Sequence, residues 1–375
     1  MEITLLFTYG TSLKDWSSAG LLSRELSIYK KLHNENNIKF NLITYGDEED
    51  LNINTGKGIE VFPLYLDVKK TKFNFLKILK SFMIPFLYKE IIKNSSIIKT
   101  NQLMGSWVGL LCKILYRKPL IVRTGYDLIQ WSVFQNKSKL YQNLIKQITK
   151  YAIKVSDQYN VASNVDLLFL KNKFKNLDTS KIKLRPNFID TSIFVDVEKE
   201  RLQEILLVGR LENQKNLEFI LKEYEDFSLP KLNIVGDGSK KIYLLDQIKT
   251  KNLNIEYHGK VLNSELATFY NKFEFYLIGS HYEGNPKSLL EAMACGSIVV
   301  GSNVTGINNI IKHGENGLLF ELEHGGLKKE INKLLNNSYD LNSLKINAKN
   351  FIRETHSLND LSKLELKDYW TILNE

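Results

Sequence analysis

Two glutamates, Glu283 and Glu291, lie eight positions apart in a segment that also carries a glycine, a proline and a lysine. A carboxylate accepts paired hydrogen bonds from sugar hydroxyls, whereas the free backbone N–H groups at the start of a helix attract phosphate. A ligand that offers both groups is a nucleotide sugar. Two glutamates near a helix start are also typical of solvated residues that complement the helix dipole.

A helix that is predicted to begin at about Pro286 must position these residues. Asn285 suits the N-cap, Pro286 suits the first helical position, and Gly296 suits the C-terminal end. The segment lies between strand-like runs at 275–278 and 298–300. We therefore expect Glu283 in the loop after a strand, which is where open α/β sheets bind ligands.

Strand-like runs rich in β-branched and aromatic residues recur between amphipathic stretches. This alternation predicts an α/β fold of two doubly wound units, with a linker at Pro186 and a boundary near 189. We expect domains at 1–189 and 190–356, and a C-terminal helix at about 357–375 that packs back on the first domain. The runs lie at 3–9, 40–45, 59–65, 97–100, 120–123, 158–162, 204–208, 232–235, 255–258, 275–278 and 298–300.

Composition excludes several classes of protein. The chain has 375 residues, 43% of them apolar, which is enough for two folded domains. Its formal net charge of +9 comes mostly from scattered lysines, so we expect no nucleic-acid partner. Cys112 and Cys295 are too few for a disulfide framework, and the histidines lack metal-ligand spacing. We expect no metal, no cofactor, no signal peptide and no membrane span.

The segment from Glu283 to Gly296 resembles glycosyltransferase family 4, because Glu283 and Glu291 form the E-x7-E pattern of that family. Other motifs are similar to the family's in the same order, and together they cover most of residues 204–320. They are Val208-Gly209-Arg210-Leu211, Gln214-Lys215-Asn216, Gly236-Asp237-Gly238, Gly259-Lys260-Val261 and Gly314-Glu315-Asn316-Gly317-Leu318. The resemblance implies a GT-B fold, in which two Rossmann-like domains face a central cleft.

The resemblance also implies roles for individual residues. Arg210 and Lys215 would bind the donor diphosphate, Glu291 the ribose hydroxyls, and Glu283 the transferred sugar. Glu283, Arg210 and Lys215 are thus the catalytic candidates, although both cations could also be surface charges. The other donor-side candidates are Gly209, Gly236, Val261, Tyr282, Gly284, Asn285, Pro286, Lys287 and Ser288. A tight βα turn explains Gly236 equally well.

In the first domain, four residues that follow strands are candidates for the acceptor side of the cleft: Gly10, Thr11, Arg123 and Asp127. Many members of the family have a histidine in the segment that corresponds to 123–127, and this chain has none there. Asp127 is therefore expected either to contact the acceptor or to cap a helix.

Lysines alternate with large apolar residues across 69–93, and Pro85 interrupts the run. The pattern predicts either a helix at a membrane surface or an amphipathic helix packed on the first sheet. Membrane contact would suit a lipid-linked acceptor, which the resemblance suggests.

Together with the resemblance, these residues predict a retaining, metal-independent glycosyltransferase of the hexosyltransferase type. A UDP- or GDP-linked donor would supply a sugar to a saccharide or lipid-linked saccharide acceptor in the synthesis of a cell-surface polysaccharide or glycoconjugate. We expect the protein in the cytoplasm or at the inner face of the cytoplasmic membrane. The alternatives are a catalytically silent partner with the same fold and a nucleotide-sugar epimerase. A nicotinamide oxidoreductase is disfavoured because Gly236-Asp237-Gly238 lacks a third glycine.

Overall fold

The computed structural model describes residues 1–225 and 228–374. The chain forms two compact units, one of Met1–Pro186 with Leu361–Glu375 and the other of Asn187–Asp360. The first segment of the first unit ends at Pro186, shortly before the expected boundary at 189. The expected C-terminal helix at 357–375 ends on Glu375, which lies outside the described residues.

The first unit is built on a seven-stranded sheet in which every adjacent pair of strands is parallel, in the order β3-β2-β1-β4-β5-β6-β7. Parallel neighbours need a crossover connection, and the amphipathic stretches between the strands supply the helices for it. The strands are β1 (Glu2–Leu6), β2 (Lys39–Thr44), β3 (Ile59–Pro63), β4 (Ile97–Thr100), β5 (Leu120–Thr124), β6 (Gln158–Val161) and β7 (Ile182–Leu184).

Polar side chains begin several helices of this unit, because their oxygens accept hydrogen bonds from the first free N–H groups. Ser12, Asp127, Ser138 and Ser163 act in this way. The helices are α1 (Leu13–Ser18), α2 (Leu22–Asn36), α3 (Glu48–Leu51), α4 (Leu64–Asp67), α5 (Asn74–Ser81), α6 (Ile84–Leu87), α7 (Lys89–Asn94), α8 (Ser106–Tyr116), α9 (Leu128–Phe134), α10 (Lys139–Val155) and α11 (Asn164–Lys173), with a 3₁₀ turn at Thr179–Lys181.

The second unit has a six-stranded parallel sheet in the order β10-β9-β8-β11-β12-β13. Alternate residues of a strand face opposite sides, so β8 supplies two hydrophobic cores. Ile205 and Leu207 join one core, whereas Leu206 and Val208 join the other. The strands are β8 (Leu202–Val208), β9 (Leu232–Val235), β10 (Ile255–Gly259), β11 (Phe273–Ile278), β12 (Ile298–Ser302) and β13 (Leu318–Phe320).

The helices that cover this sheet are α12 (Leu217–Glu223), α13 (Lys241–Thr250), α14 (Asn263–Lys272), α15 (Lys287–Ala294), α16 (Gly326–Leu335) and α17 (Leu341–Thr355), with a 3₁₀ turn at Asn213–Lys215. The last helix, α18 (Leu358–Asn374), lies mostly in the first unit. Each sheet thus has the parallel, helix-connected form that the alternation of strands and helices predicts, and the predicted fold class is confirmed.

The structure differs from the prediction in local details. The short edge strands β7 and β13 were not predicted, because three residues give too little periodicity to identify a strand. Pro286 is the N-cap of α15 and lies just before the helix. The expectation that Asn285 caps this helix is therefore wrong. In the lysine-rich segment the interruption falls at Phe82 and Met83, and Pro85 lies in the first turn of α6, where its missing N–H costs nothing.

Candidate functional site

The candidate site of the second unit is built from loops at the carboxyl ends of its strands. The N–H of Gly209, just after β8, donates to the Val235 carbonyl at 3.0 Å and so holds the loop after β8 beside the loop after β9. Gly236 has a φ of +150°, and a Cβ atom there would lie 1.8 Å from the Gly209 carbonyl oxygen. Only glycine allows this close approach, so Gly236 keeps the two loops together.

An ion pair between Lys215 and Glu283 connects the loops after β8 and β11. The Lys215 Nζ atom lies 2.7 Å from Glu283 Oε1, with side chains 16% and 9% exposed. Ser280 Oγ donates to the same oxygen at 2.7 Å, and Gln214 Nε2 donates to Glu283 Oε2 at 3.2 Å. Partial burial strengthens such a pair relative to an exposed one, so the Glu283 carboxylate has a defined position.

The loop after β12 supports Glu283 from its backbone. The N–H of Glu283 donates to the Thr305 carbonyl at 3.1 Å. Gly306 follows with a φ of +90°, and a Cβ atom there would lie 1.9 Å from the Glu283 carbonyl oxygen. Glu283 is therefore held through its side chain by the loops after β8 and β11, and through its backbone by the loop after β12.

Glu291 lies in α15 and is only 1% exposed. The Tyr270 hydroxyl donates to its Oε2 atom at 3.0 Å, and burial followed by the Glu291 charge raises the pKa of Tyr270. The tyrosine therefore stays a proton donor to the carboxylate. On the preceding turn, Ser288 accepts a hydrogen bond from Tyr276 at 2.8 Å.

Asn285 joins α15 to two distant parts of the same unit. Its Oδ1 atom accepts from the Asn187 N–H at 2.9 Å, and its backbone carbonyl accepts from Asn187 Nδ2 at 2.7 Å. Its amide nitrogen lies 3.3 Å from His356 Nε2. Burial lowers the pKa of His356 to about 4, so the ring is neutral near pH 7 and accepts this hydrogen bond. These contacts explain why the Asn285 side chain does not cap α15.

The remaining donor-side candidates are distributed around these contacts. Arg210 is exposed beyond β8, and Lys287 holds its ammonium 5.7 Å from the ring centre of Phe188. Tyr282 accepts a hydrogen bond from Gln214 through its carbonyl at 2.9 Å. Val261 packs against the core beside α14. Gly284 and Ser288 are partly buried at the start of α15.

In the first unit, three loops at the carboxyl end of the sheet are joined by hydrogen bonds. The Tyr9 N–H donates to the Met104 carbonyl at 2.9 Å, and the Gly125 N–H donates to Gln102 Oε1 at 2.8 Å. Gly10 is exposed with a φ of +75°, and Thr11 donates to the Thr8 carbonyl. The structure thus brings together the loop that carries Gly10 and Thr11 and the loop that leads to Asp127. Arg123 lies within β5, where it pairs with Asn160, so the expectation that it follows the strand is wrong.

Asp127 takes the helix-capping role. It is 4% exposed, and its Oδ1 atom accepts from the Gln130 N–H at 2.7 Å. Burial is the main cause that raises the pKa of Asp127 to about 7, and the nearby Asp166 charge adds to it. Arg123 is partly buried, and its charge helps to lower the pKa of Glu365 on α18.

Four residues with clear contacts were not assigned from the sequence: Gln214, Tyr270, Ser280 and His356. Gln214 lies beside Lys215 in a quoted motif, and Ser280 lies three positions before Glu283, so their positions gave a weak signal. Tyr270 and His356 gave none, because only folding brings them to Glu291 and Asn285.

Over residues 1–225 and 228–374, no group of three or more His, Cys, Asp or Glu side chains is placed to hold a metal ion. Within the same described ranges, none of the helices combines the length and apolar character that a membrane-spanning helix needs.

The comparisons with known proteins point to glycosyltransferases. Residues 188–351 match the family model described as glycosyl transferases group 1. The chain is 28% identical to an uncharacterised glycosyltransferase of Methanocaldococcus jannaschii over 306 residues, which are 76% of this chain and 75% of that protein. It is 25% identical over 63% of its length, and 64% of the relative's, to a Campylobacter jejuni α-1,4-N-acetyl-D-galactosaminyltransferase named for a diNAcBac-PP-undecaprenol saccharide.

Two solved structures share the fold over essentially the whole chain. Sucrose-phosphate synthase of Thermosynechococcus elongatus has a TM-score of 0.81 at 16% identity, and covers 100% of this chain and 99% of its own. HepE of Anabaena, solved with UDP, has a TM-score of 0.76 at 15% identity, and covers 99% of this chain and 100% of its own.

Proposed function

We propose that this chain, a glycosyltransferase of GT-B fold whose residues 188–351 match the glycosyl transferases group 1 model, binds a nucleoside diphosphate sugar in its second unit for transfer to a saccharide. The observation that carries the proposal is the Lys215–Glu283 pair, held by Ser280 and Gln214 at the carboxyl end of the sheet. The pair provides a cation for phosphate and an acceptor for sugar hydroxyls at one place.

The proposed chemistry depends on charge that develops when the bond between sugar and diphosphate breaks. Lys215 and Arg210 would stabilise the departing diphosphate, because fixed cations lower the free energy of a transition state in which negative charge accumulates. Glu283 would orient the sugar, and Glu291 would accept hydrogen bonds from the ribose. The backbone N–H groups of Gly284, Asn285 and Lys287 would donate to the same ligand.

We further propose family 4 membership and transfer with retention of the anomeric configuration. The E-x7-E spacing of Glu283 and Glu291, with the motifs around them, supports both. Neutralisation of the leaving group by Arg210 and Lys215 supports a reaction of the hexosyltransferase type without a divalent metal ion. The candidates Gly209, Gly236, Val261 and Tyr282 would line the nucleotide site.

A UDP- or GDP-linked donor and a saccharide or lipid-linked saccharide acceptor complete the proposal. HepE was solved with UDP, and the Campylobacter jejuni relative is named for an undecaprenol-linked saccharide. We assign the acceptor to the first unit, at the loops of Gly10, Thr11, Arg123 and Asp127. The setting would be cell-surface polysaccharide or glycoconjugate synthesis at the inner face of the cytoplasmic membrane.

The test is release of the nucleoside diphosphate from a panel of UDP- and GDP-sugars by wild type, Lys215→Ala and Glu283→Gln. We expect Lys215→Ala to weaken nucleoside diphosphate binding about ten- to a hundredfold, which corresponds to about 1.5–3 kcal/mol for a hydrogen bond to a charged group. Glu283→Gln should retain that binding, because its amide oxygen can still accept from Ser280 at the position of Oε1, but should slow transfer at least about tenfold. Calorimetry and product analysis measure the two effects.

Lys249→Ala, on the exposed face of α13, is the matched control and should leave both quantities unchanged. Nucleotide binding without release from any donor would indicate the silent partner. Isomerisation of the sugar with the nucleotide still attached would indicate an epimerase. Equal binding by wild type and Lys215→Ala would contradict the site assignment.

A further inference from the structure

Residues 73–87 of the first unit expose large apolar side chains to solvent. Phe73, Phe75 and Phe86 are 72%, 70% and 61% exposed. Further exposed side chains in the segment are Leu76, Ile78, Leu79, Phe82, Met83 and Leu87. Soluble monomers rarely expose so many neighbouring apolar side chains without a binding partner.

Seven of these nine exposed residues follow a helical period and form one stripe. Positions 75, 76, 79, 82, 83, 86 and 87 lie on one face of a helix with 3.6 residues per turn. A surface helix of a globular protein normally turns such a stripe toward the core. Here the stripe faces outward across both α5 and α6, so the prediction that this segment packs its apolar face on the sheet is wrong for these two helices.

Contacts on the opposite face fix this orientation. The Trp107 Nε1–H donates to Ser81 Oγ at 2.9 Å, and the Tyr116 hydroxyl donates to the Pro85 carbonyl at 2.9 Å. Ser81, Ile84 and Pro85 are buried. The side of the segment that carries Ser81, Ile84 and Pro85 is therefore attached to the body of the unit, and the stripe is left outside.

Basic residues surround the stripe. Residues 69–93 contain seven lysines and a single acidic residue, Glu90. Lys70 is paired with Asp47 at 3.0 Å, whereas Lys72, Lys89 and Lys93 are exposed at the edges of the segment. An apolar surface with a basic rim is complementary to a bilayer whose headgroups carry negative charge.

We propose that residues 69–93 form a docking surface for the anionic face of a lipid bilayer. The apolar stripe would enter the boundary between headgroups and acyl chains, while the lysines contact lipid phosphates. A second copy of the chain fits less well, because a two-fold interface places the same patch on both sides and would bring the two lysine-rich rims together.

The surface adjoins a predicted acceptor loop within the same unit. The Tyr9 hydroxyl donates to the Asn74 carbonyl at 3.2 Å, and the Tyr9 and Trp107 ring centres lie 5.4 Å apart. Tyr9 directly precedes Gly10 and Thr11. Docking would therefore hold the loop of Gly10 and Thr11 near the membrane surface. The acceptor role of this loop rests on the proposed function, whereas docking itself does not.

The experiment is co-sedimentation of the full chain with phosphatidylcholine vesicles and with vesicles that also contain phosphatidylglycerol. We expect binding to the anionic vesicles that falls as salt is raised. Phe75→Ser combined with Phe86→Ser should weaken it at least about tenfold, because two large apolar side chains leave the stripe. Lys89→Glu combined with Lys93→Glu should weaken it at least about twenty-fivefold, since each lysine near an anionic surface contributes about fivefold.

Ile242→Ser and Lys249→Glu, at exposed positions of α13, are the matched controls and should bind vesicles as wild type does. Equal vesicle binding by the Phe75/Phe86 variant and wild type, or no binding by wild type, would overturn the proposal. A wild-type dimer that the same variant converts to a monomer would assign the surface to a second copy instead. Nucleoside diphosphate binding, measured in parallel, should be unchanged in these variants, so failure of docking is distinct from failure of the proposed function.

Discussion

At the scale of single residues, the charged groups of this protein are placed by contacts that limit what each can do. Lys215 faces Glu283, so a phosphate that binds Lys215 must compete with a carboxylate. Glu291 is buried against Tyr270, and Asp127 is buried at the start of α9. Each of these carboxylates therefore has a contact within the protein and a proposed contact with a ligand. Substitutions that test the ligand contact need a control for the contact within the protein.

Glu291→Ala is expected to weaken donor binding by about 1.5–3 kcal/mol, because the ribose loses a charged hydrogen-bond acceptor. Calorimetry with the donor that the release assay identifies measures this loss. Tyr270→Phe is the control, since it removes the hydroxyl that donates to Glu291 and leaves the Glu291 carboxylate in place. Unchanged affinity in a folded Glu291→Ala protein would remove Glu291 from the ribose site.

Asp127→Asn tests the buried carboxyl through the dependence of stability on pH. The folded-state pKa of about 7 lies above the ordinary value of 3.8, so the folded protein retains a proton that the unfolded chain releases. The contribution of Asp127 to the stability of wild type therefore falls as the pH rises from about 4 to about 7, by up to about 1.4 kcal/mol per pH unit. Asn caps the helix without titrating, so the variant should become the more stable protein over this window.

Denaturant unfolding at several pH values measures the difference between Asp127→Asn and wild type. Asp178→Asn, at an exposed cap of a 3₁₀ turn, is the control for a carboxylate outside the buried network. A difference that stays constant from pH 4 to pH 7 would show that the Asp127 carboxyl does not titrate in this window.

At the scale of elements, α15 is held by its preceding loop more than by its own capping. Asn285 contacts Asn187 on one side and His356 on the other, and the Asn187 N–H and side chain both take part. Gly284 and Lys287 would contact the donor. Their positions therefore depend on Asn187, nearly a hundred residues earlier in the chain, and on His356, about seventy residues later. His356 is the titratable member of this connection.

The contribution of His356 to stability should fall as the pH drops through the range in which the ring titrates. The pKa of the buried ring is about 4, below its ordinary value of 6.5, so the unfolded chain binds a proton that the folded protein does not. The contribution is complete above about pH 6.5 and is lost as the pH falls toward 4, by up to about 1.4 kcal/mol per pH unit. His356→Asn should flatten this part of the profile.

Thermal unfolding from pH 4 to pH 7 measures that profile, with His324→Asn at an exposed position as the control. Donor binding by His356→Asn should also weaken near pH 7, because the Asn285 amide loses an acceptor. Parallel profiles for wild type and His356→Asn would exclude a neutral buried ring.

At the scale of the whole molecule, the C-terminal helix completes the first unit through buried charges. Lys99 on β4 forms an ion pair with Glu365 on α18, with side chains 2% and 11% exposed. Arg185 Nε donates to Asp368 at 2.6 Å, and Gln158 donates to the same carboxylate at 2.8 Å. The final helix thus contributes to the core of a unit whose other residues all precede position 187.

Lys99→Ala is expected to destabilise the protein by about 3–5 kcal/mol, because Glu365 would remain buried without its main partner. Lys99→Met with Glu365→Leu should cost much less, since two apolar side chains replace both charges. The free energy of unfolding in urea measures both, and Lys14→Ala, which removes an exposed pair with Glu49, should change it by about 1 kcal/mol or less. A loss of only about 1 kcal/mol for Lys99→Ala would show that the Lys99–Glu365 pair contributes little to the free energy of unfolding.

The sequence alone determined the features that depend on near neighbours in the chain. Alternating strand and helix patterns located all the longer strands, since side-chain periodicity is a local property. The same reasoning placed Glu283 in a loop after a strand and Glu291 in the following helix, and the structure confirms both positions. The motifs around them suggested the class of enzyme that the comparisons support.

Contacts between remote residues, and the helix faces that turn inward, follow from tertiary packing and are not recorded in local patterns. Lys215 and Glu283 are 68 positions apart, and Lys99 and Glu365 are 266 apart, so no local pattern records either pair. The stripe at 75–87 has the same periodicity whether it faces core or solvent. Its outward direction follows from contacts with Trp107 and Tyr116. Periodicity defines a face of a helix, but packing against distant residues determines what that face contacts.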